Sequence, residues 1–511
     1  MLKSTPERDA LAMSPPSSAP APEFVKAMSL TDATMLVAGS MIGSGIFIVP
    51  AAMARGVGSP FWLIAAWLVT AIITLLGALA YGELAAMYPR AGGQYVFLRE
   101  SMGSLMGFLY GWTLFVVIQT GTIAAVAVAF GRFMGVVWPA ITPDRFAWFP
   151  QADVCVAALG CTDPANAIQI GLTPQRLIAL LSVGVLTWVN LRGVREGKLV
   201  QTTLTIVKTG ALALLVLLGL TIGRNAEAIA ANFANGSFVG SVDVSSVLVI
   251  AFGAALVGSL FSSDAWNNVT FAAAEVKEPQ RNLPRALVIG TGLVSVLYLL
   301  ANFAYLSVLP LAGDPDAATA LGRGIQHATQ DRVGVAAMEV MFGPVGATLM
   351  AIAILISTFG CNNGLILAGA RVYYAMARDG LFFRRVGMLN ARQVPAAGLV
   401  VQAVWTGVLC LTGTYGQLLD YVVFSALIFY AATTIGLFML RRKQPDLPRP
   451  YRAIGYPVLP ALYVLLTIAV MVLILLSPVT RMQAVFGLAL VLIGVPVFYL
   501  WRGVERTRPA E

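Results

Sequence analysis

Two short stretches of this chain hold residue types that a lipid environment tolerates poorly. Residues 39–45 read Gly39-Ser-Met-Ile-Gly43-Ser-Gly45, three glycines in seven positions. Each glycine in a helix interior costs about 1 kcal/mol relative to alanine. Residues 259–268 read Ser259-Leu-Phe-Ser-Ser-Asp264-Ala-Trp266-Asn-Asn and follow Gly253 and Gly258. Both stretches lie inside long apolar runs, so both predict a helix interrupted at mid-membrane. An interruption frees N–H groups of one half-helix and C=O groups of the other. In hydrocarbon each such group costs several kcal/mol until something satisfies it. A zwitterion of the amino acid type can do so. Its carboxylate suits the positive end of the half-helix that opens at Ser44, Gly45 and Ile46, and its ammonium suits freed carbonyls. The competing reading of the first stretch is a G-x-x-x-G packing face formed by Gly39 and Gly43.

Two ionisable residues sit beside these stretches. Asp264 is an intramembrane acid, a kind of residue that faces a cavity or a partner. It either neutralises a substrate ammonium or caps the second half of its helix and hydrogen-bonds Asn267 or Asn268. Lys208 lies roughly ten residues into its apolar run, so about 14 Å of helix separates it from water. An unpaired lysine at that depth costs about 2.5 to 3.5 kcal/mol, so it is expected to be bound by carbonyls or a carboxylate of the interrupted region. Phe261 is either a lid over the site or packing, and Trp266 reads as packing. Glu83 and Glu275 end their runs at the membrane edge and predict interfacial or gate salt bridges. The single histidine, His327, falls in a loop. The sequence offers no intramembrane His or Cys cluster for a metal, no phosphate-binding glycine loop and no paired catalytic acids. An enzyme, a metal site and a cofactor are therefore not expected.

The elements that must hold these residues are membrane helices. The chain has 511 residues, of which 58% are hydrophobic and 11% charged, against roughly a quarter charged in soluble domains. Apolar runs of spanning length predict twelve helices at 31–54, 60–87, 104–138, 173–192, 199–222, 245–275, 284–310, 340–370, 395–413, 415–440, 456–477 and 482–501. The runs are apolar on every face, unlike barrel strands, so the fold class is an all-α membrane protein. The net charge of +9 does not point to nucleic acid, because its placement is one-sided. Alternate gaps hold 24 Lys and Arg against 8 in the others, with Lys208 left inside a span. By the positive-inside rule both termini are cytoplasmic, in an inner or plasma membrane. Residues 1–28, rich in Pro, Ser and Ala, read as a disordered cytoplasmic tail without a signal peptide. The gaps 139–173 and 311–333 are external, the second with a short surface helix. Cys155 and Cys161 share an external loop where a disulfide can form, whereas Cys361 and Cys410 read as packing.

Five segments are then familiar in order: GSMIGSGIFIVP (39–50), YGELAAMYPRAGGQY (81–95), FSSDAWNNVTFAAAEVKEPQRNLPRAL (261–287), STFGCNNGLILAGARVYYAMARDGLF (357–382) and RRKQPDLPRPYRAIGYPVLP (441–460). Through them the chain resembles the amino acid/polyamine/organocation permease superfamily from about Ser29 to Arg502, and within it the bacterial members similar to L-type amino acid transporters. The resemblance implies a leucine-transporter-like fold. In it, repeats at 29–222 and 245–440 are inverted, helices 1 and 6 are broken, two further helices occupy 441–503, and a tail follows at 504–511. It implies a substrate site at Met41, Ile42, Gly43, Ser44, Gly45, Phe261, Ser262, Ser263 and Asp264. Ser44 and Gly45 would hold the carboxylate, carbonyls of Met41, Phe261 and Asp264 the ammonium, and Phe261 would close the outer side. Asn267 would tie helix 6 to its neighbours, and Lys208 would stand in for a bound sodium ion. Relatives often read Tyr-Asp-Gly-Trp where this chain has Ser263-Asp264-Ala265-Trp266, which narrows the backbone options and makes the wall more polar.

The function expected from all this is sodium-independent secondary transport of a neutral, small to medium L-amino acid, by exchange or with protons. The alternatives are a cationic amino acid or polyamine carrier that uses the Asp264 side chain, and a non-transporting membrane receptor. The expected partners are the amino acid and membrane lipid. Sequence is silent on an accessory subunit.

Overall fold

The computed structural model describes residues 24, 26–155, 168–234, 237–239, 245–412 and 415–506. Helices dominate them, as the apolar runs dictate. The chain opens with α1 (Leu30–Met41), α2 (Gly45–Val57), α3 (Pro60–Met87), α4 (Gln94–Met102), α5 (Ser104–Thr113) and α6 (Gln119–Val137). It continues with α7 (Pro174–Leu191), α8 (Val194–Leu220), α9 (Ala226–Phe233), α10 (Ser246–Ser262) and α11 (Pro279–Val308). After α12 (Ala320–Arg323) come α13 (Val333–Arg378), α14 (Ala396–Thr412), α15 (Tyr415–Lys443), α16 (Val458–Leu476) and α17 (Arg481–Arg506).

Eleven helical runs among the described residues are long and apolar enough to cross a membrane, and α14, at 17 residues, matches the remaining expected span, 395–413. The chain is a multi-pass, all-α membrane protein. Its helices start where side chains can satisfy free N–H groups. Ser29 forms a capping box with Asp32 at α1, and Ser59 and Thr173 cap α3 and α7 just ahead of their N-terminal prolines. Lipid-facing positions stay apolar: Leu465 of α16 and Leu492 of α17 are 65% and 57% exposed.

The departures from expectation lie between spans. Residues just before α1 are not free tail: Met28 pairs with Val276, taking a hydrogen bond from Lys277 N (2.8 Å) and donating one to Glu275 O (2.9 Å). Residues 1–23 of the expected tail lie outside the described residues. The 139–173 gap contains two three-residue strands, Ala152–Val154 and Ile168–Ile170, paired antiparallel. Cys155 is disulfide-bonded, while Cys161 lies outside the described residues. Short helices α4 and α9 occupy loops in which no helix was expected. The span expected from 340 begins earlier, because α13 starts at Val333 and turns at Gly343, just ahead of Pro344, whose ring cannot continue a straight helix. Helices of the two sequence halves interleave, with α11 packed on α3 and α1, and α13 on α6 and α8.

Candidate functional site

Both glycine and polar stretches interrupt their helices. Between α1 and α2 the backbone of Ile42, Gly43 and Ser44 is non-helical. Between α10 and a 3-10 turn at Trp266–Thr270 the same holds for Ser263, Asp264 and Ala265. The two interruptions touch. A Cβ built on Gly45 would lie 2.7 Å from Ser262 Cβ and 2.9 Å from its Cα, so only glycine permits this approach. A Cβ on Gly39 would collide with Gln201 and Thr205 of α8. Gly43 lies in the break itself and approaches Cys361 of α13, so the two glycines pack against different helices rather than forming one G-x-x-x-G face.

The acceptors released at the end of α1 are taken up by side chains from three other helices. Lys208 of α8, 1% exposed, donates to Gly39 O and to Ile42 O (2.8 Å), and its Nζ lies 3.4 Å from Ser357 O. The thiol of Cys361 in α13 donates to Ser40 O (3.1 Å). The hydroxyl of Tyr298 in α11 lies 2.8 Å from Met41 O and 3.1 Å from Ser262 O, so one phenol joins both interruptions. Ser357 Oγ lies 3.2 Å from Ile42 O and 3.3 Å from Gly43 O. Every carbonyl from Gly39 to Gly43 thus faces a side-chain donor. The opposite end differs. Ser44, Gly45 and Ile46 open α2 with N–H groups that have no partner four residues back in the helix, and no side chain caps them.

The other expected site residues are placed as follows. Ser44 Oγ shares a hydrogen bond with Tyr415 OH (3.2 Å), and the Phe261 ring meets the Tyr415 ring edge-on at 6.0 Å. Phe261, Ser262 and Ser263 are buried around the second interruption. Asp264 does not cap the segment that follows it. The residue at that cap position is Ala265, no side chain caps it, and the Asp264 carboxylate accepts hydrogen bonds from Tyr430 of α15 and from the backbone of Ala265. Asn267 donates to Gln94 (2.7 Å), whose amide donates to Thr433 (3.0 Å), so the turn Trp266–Thr270 is tied to α4 and α15 rather than to Asp264.

Sequence reading missed Tyr298, Tyr415 and Tyr430, which sit in apolar spans with no local motif, and it gave no role to Ser357 and took Cys361 as packing although both lie in the 357–382 segment. It also missed a π-helical turn at Leu114–Ile118, a feature frequent at functional sites. That turn lines a small cavity of about 10 Å³ together with Gln119, Thr122, Asp264 and Tyr430.

Ion pairs close the basic face of the bundle. Glu275 and Arg371, 1% and 3% exposed, pair at 2.6 Å. Glu83 binds Arg441 through both oxygens and receives Ala453 N at 2.7 Å. Asp379 is held by Arg99 and by Tyr95 OH. On the opposite face Arg55 pairs with Asp331 (2.8 Å), and the Arg132 guanidinium lies 5.7 Å from the centre of the Tyr415 ring.

Residues 28–496 match the family model described as amino acid permease. The chain is 30% identical to the large neutral amino acids transporter small subunit 2 of Mus musculus, over 98% of this chain and 87% of that protein. It is 29% identical to the serine/threonine exchanger SteT of Bacillus subtilis, over 93% of this chain and 96% of that one. With the b(0,+)-type amino acid transporter 1 of Rattus norvegicus the identity is 28%, over 93% and 88%.

Proposed function

This chain belongs to the amino acid permease family, and from that premise we propose that it exchanges neutral, small to medium L-amino acids by alternating access without sodium. One observation carries the reading: the acceptors of the first interruption are matched by protein donors, while the donors at Ser44 and Gly45 are not. That arrangement asks for a ligand that brings an acceptor to a helix N-terminus, as a carboxylate does. The ammonium is assigned to the carbonyls of Met41, Phe261 and Asp264. Tyr298 uses only one of the lone pairs on Met41 O.

Neutral substrates are favoured because the site offers a carboxylate-binding helix end and carbonyls for an ammonium, while the one acid beside it, Asp264, is already held by Tyr430 of α15. The printed name of the Bacillus subtilis relative, a serine/threonine exchanger, agrees with a small neutral substrate and with exchange. Sodium independence rests on Lys208, whose ammonium occupies the carbonyls that a cation would need. Both termini are assigned to the cytoplasm, and the two five-helix halves to inverted repeats. An accessory chain linked through Cys155 is disfavoured, since that sulfur is already bridged.

Proteoliposomes preloaded with one neutral amino acid and diluted into a labelled second one test this. Uptake that depends on the internal amino acid and ignores sodium is expected. Absence of exchange for every neutral amino acid at millimolar concentration overturns the proposal, and exchange of arginine alone would select the cationic reading.

A further inference from the structure

A crevice of about 300 Å³ opens between α5, α13, α14 and α17, and none of the residues of the two interruptions lines it. Its walls are hydrocarbon and aromatic ring, including Phe108, Trp112, Phe115, Phe382, Trp405 and Trp501. The three indoles could have offered N–H donors to a polar ligand. Each gives its N–H to the backbone instead: Trp112 to Leu490 O (3.1 Å), Trp405 to Val116 O (3.0 Å) and Trp501 to Gly380 O (3.1 Å). A polar guest would lose its water without replacement. A hydrocarbon chain loses nothing.

The rim supplies the opposite chemistry. Immediately around the crevice residues Leu381, Phe382 and Phe383 stand Arg378, Arg384 and Arg385, all exposed and, among the described residues, without an ion pair or side-chain hydrogen bond. The one acid within this stretch, Asp379, is already bound by Arg99 and Tyr95. Phe383, 55% exposed, leans edge-on against Trp501 at 5.1 Å and links the rim to the aromatic wall. A free positive rim above a dry aromatic slot is complementary to a molecule with a negative head and an apolar tail. We propose that this crevice binds an anionic phospholipid, with an acyl chain among the tryptophans and the phosphate on Arg378, Arg384 and Arg385. The site lies on α13, the helix that also supplies Ser357 and Cys361 to the first interruption, so an occupied crevice braces that helix from its lipid side.

Native mass spectrometry of the full-length, delipidated protein, mixed with equal phosphatidylglycerol and phosphatidylcholine, tests the assignment. Three arginines free of acidic partners favour an anionic over a zwitterionic headgroup, so retention of phosphatidylglycerol over phosphatidylcholine by at least roughly tenfold is expected. Arg384→Ala with Arg385→Ala and Arg378→Ala should abolish that preference, and the same positions changed to Lys should keep it. Val497→Phe, which fills the slot, should lower retention of both lipids while the arginines stay in place. Phosphatidylglycerol carrying brominated acyl chains should quench tryptophan fluorescence less in Trp501→Phe. Equal retention of the two lipids by the unmodified protein, or a preference untouched by the alanine substitutions, overturns the proposal. These arginines are exposed, so retained amino acid binding in the variants separates loss of the lipid from loss of fold.

Discussion

At the end of α1 the backbone turns its carbonyls toward α8, and Lys208 meets those of Gly39 and Ile42. Truncating this side chain removes the donor from buried acceptors, a loss of about 1–3 kcal/mol for each one left unmatched. Because Ser357 still faces Ile42 O and Gly43 O, the helix end keeps part of its support. Lys208→Ala is therefore expected to purify folded and to exchange at least tenfold more slowly, with no rescue by sodium; counterflow rates in sodium and in choline buffers measure it. A sodium-restored rate would mean that a cation can enter the place the ammonium leaves. Lys208 itself was legible from sequence, since a lysine so deep in an apolar run has to find acceptors. Its partners were legible only by class. Tyr298 and Cys361 were not, because a hydroxyl or a thiol in a span looks the same whether it bonds its own helix or a distant one.

The second interruption shows how an element can be strained by its own sequence. Ala265 has φ 61° and ψ 9°, a left-handed conformation that costs an L-residue roughly 1–2 kcal/mol and glycine little. Ala265→Gly is expected to stabilise the protein by about 0.5–1 kcal/mol after the extra freedom of glycine in the unfolded chain is subtracted. A rise in thermal midpoint in detergent would show it, and a fall would mean that the methyl is needed for packing. The breaks were readable because glycines and clustered polar residues oppose helix at fixed places. The π-helical turn was not, since Leu114–Ile118 is an ordinary apolar sequence and its shift in pairing is set by the neighbours it packs against. The latch between Glu275, just past the second interruption, and α13 belongs to this scale too. Glu275 and Arg371 are both buried, and removing one partner of such a pair costs about 3–5 kcal/mol. Glu275→Gln should therefore destabilise strongly, and Glu275→Leu with Arg371→Met should recover most of the loss. A double-mutant cycle on chemical denaturation gives the coupling.

Across the whole molecule the argument is one of sides. Every ion pair around Glu83, Glu275 and Asp379 lies on one face, and the Arg55–Asp331 pair lies on the other. If the basic face is cytoplasmic, a membrane-impermeant thiol reagent on intact cells should label Val479→Cys and spare Met388→Cys, two positions 74% and 66% exposed. The reverse pattern would invert the topology. Span number came from counting apolar runs, and the orientation that this labelling checks rests on the charge count. The small helices α4 and α9 did not, because they are too short for periodicity to register. The same lysine that stabilises α1 has a consequence for the carrier as an electrical device. A charge bonded covalently to the protein is never released on the far side, so swapping one zwitterion for another moves no net charge per cycle. Membrane voltage then has no part in the equilibrium of a one-for-one exchange, whose direction is set by the ratios of amino acids on the two sides.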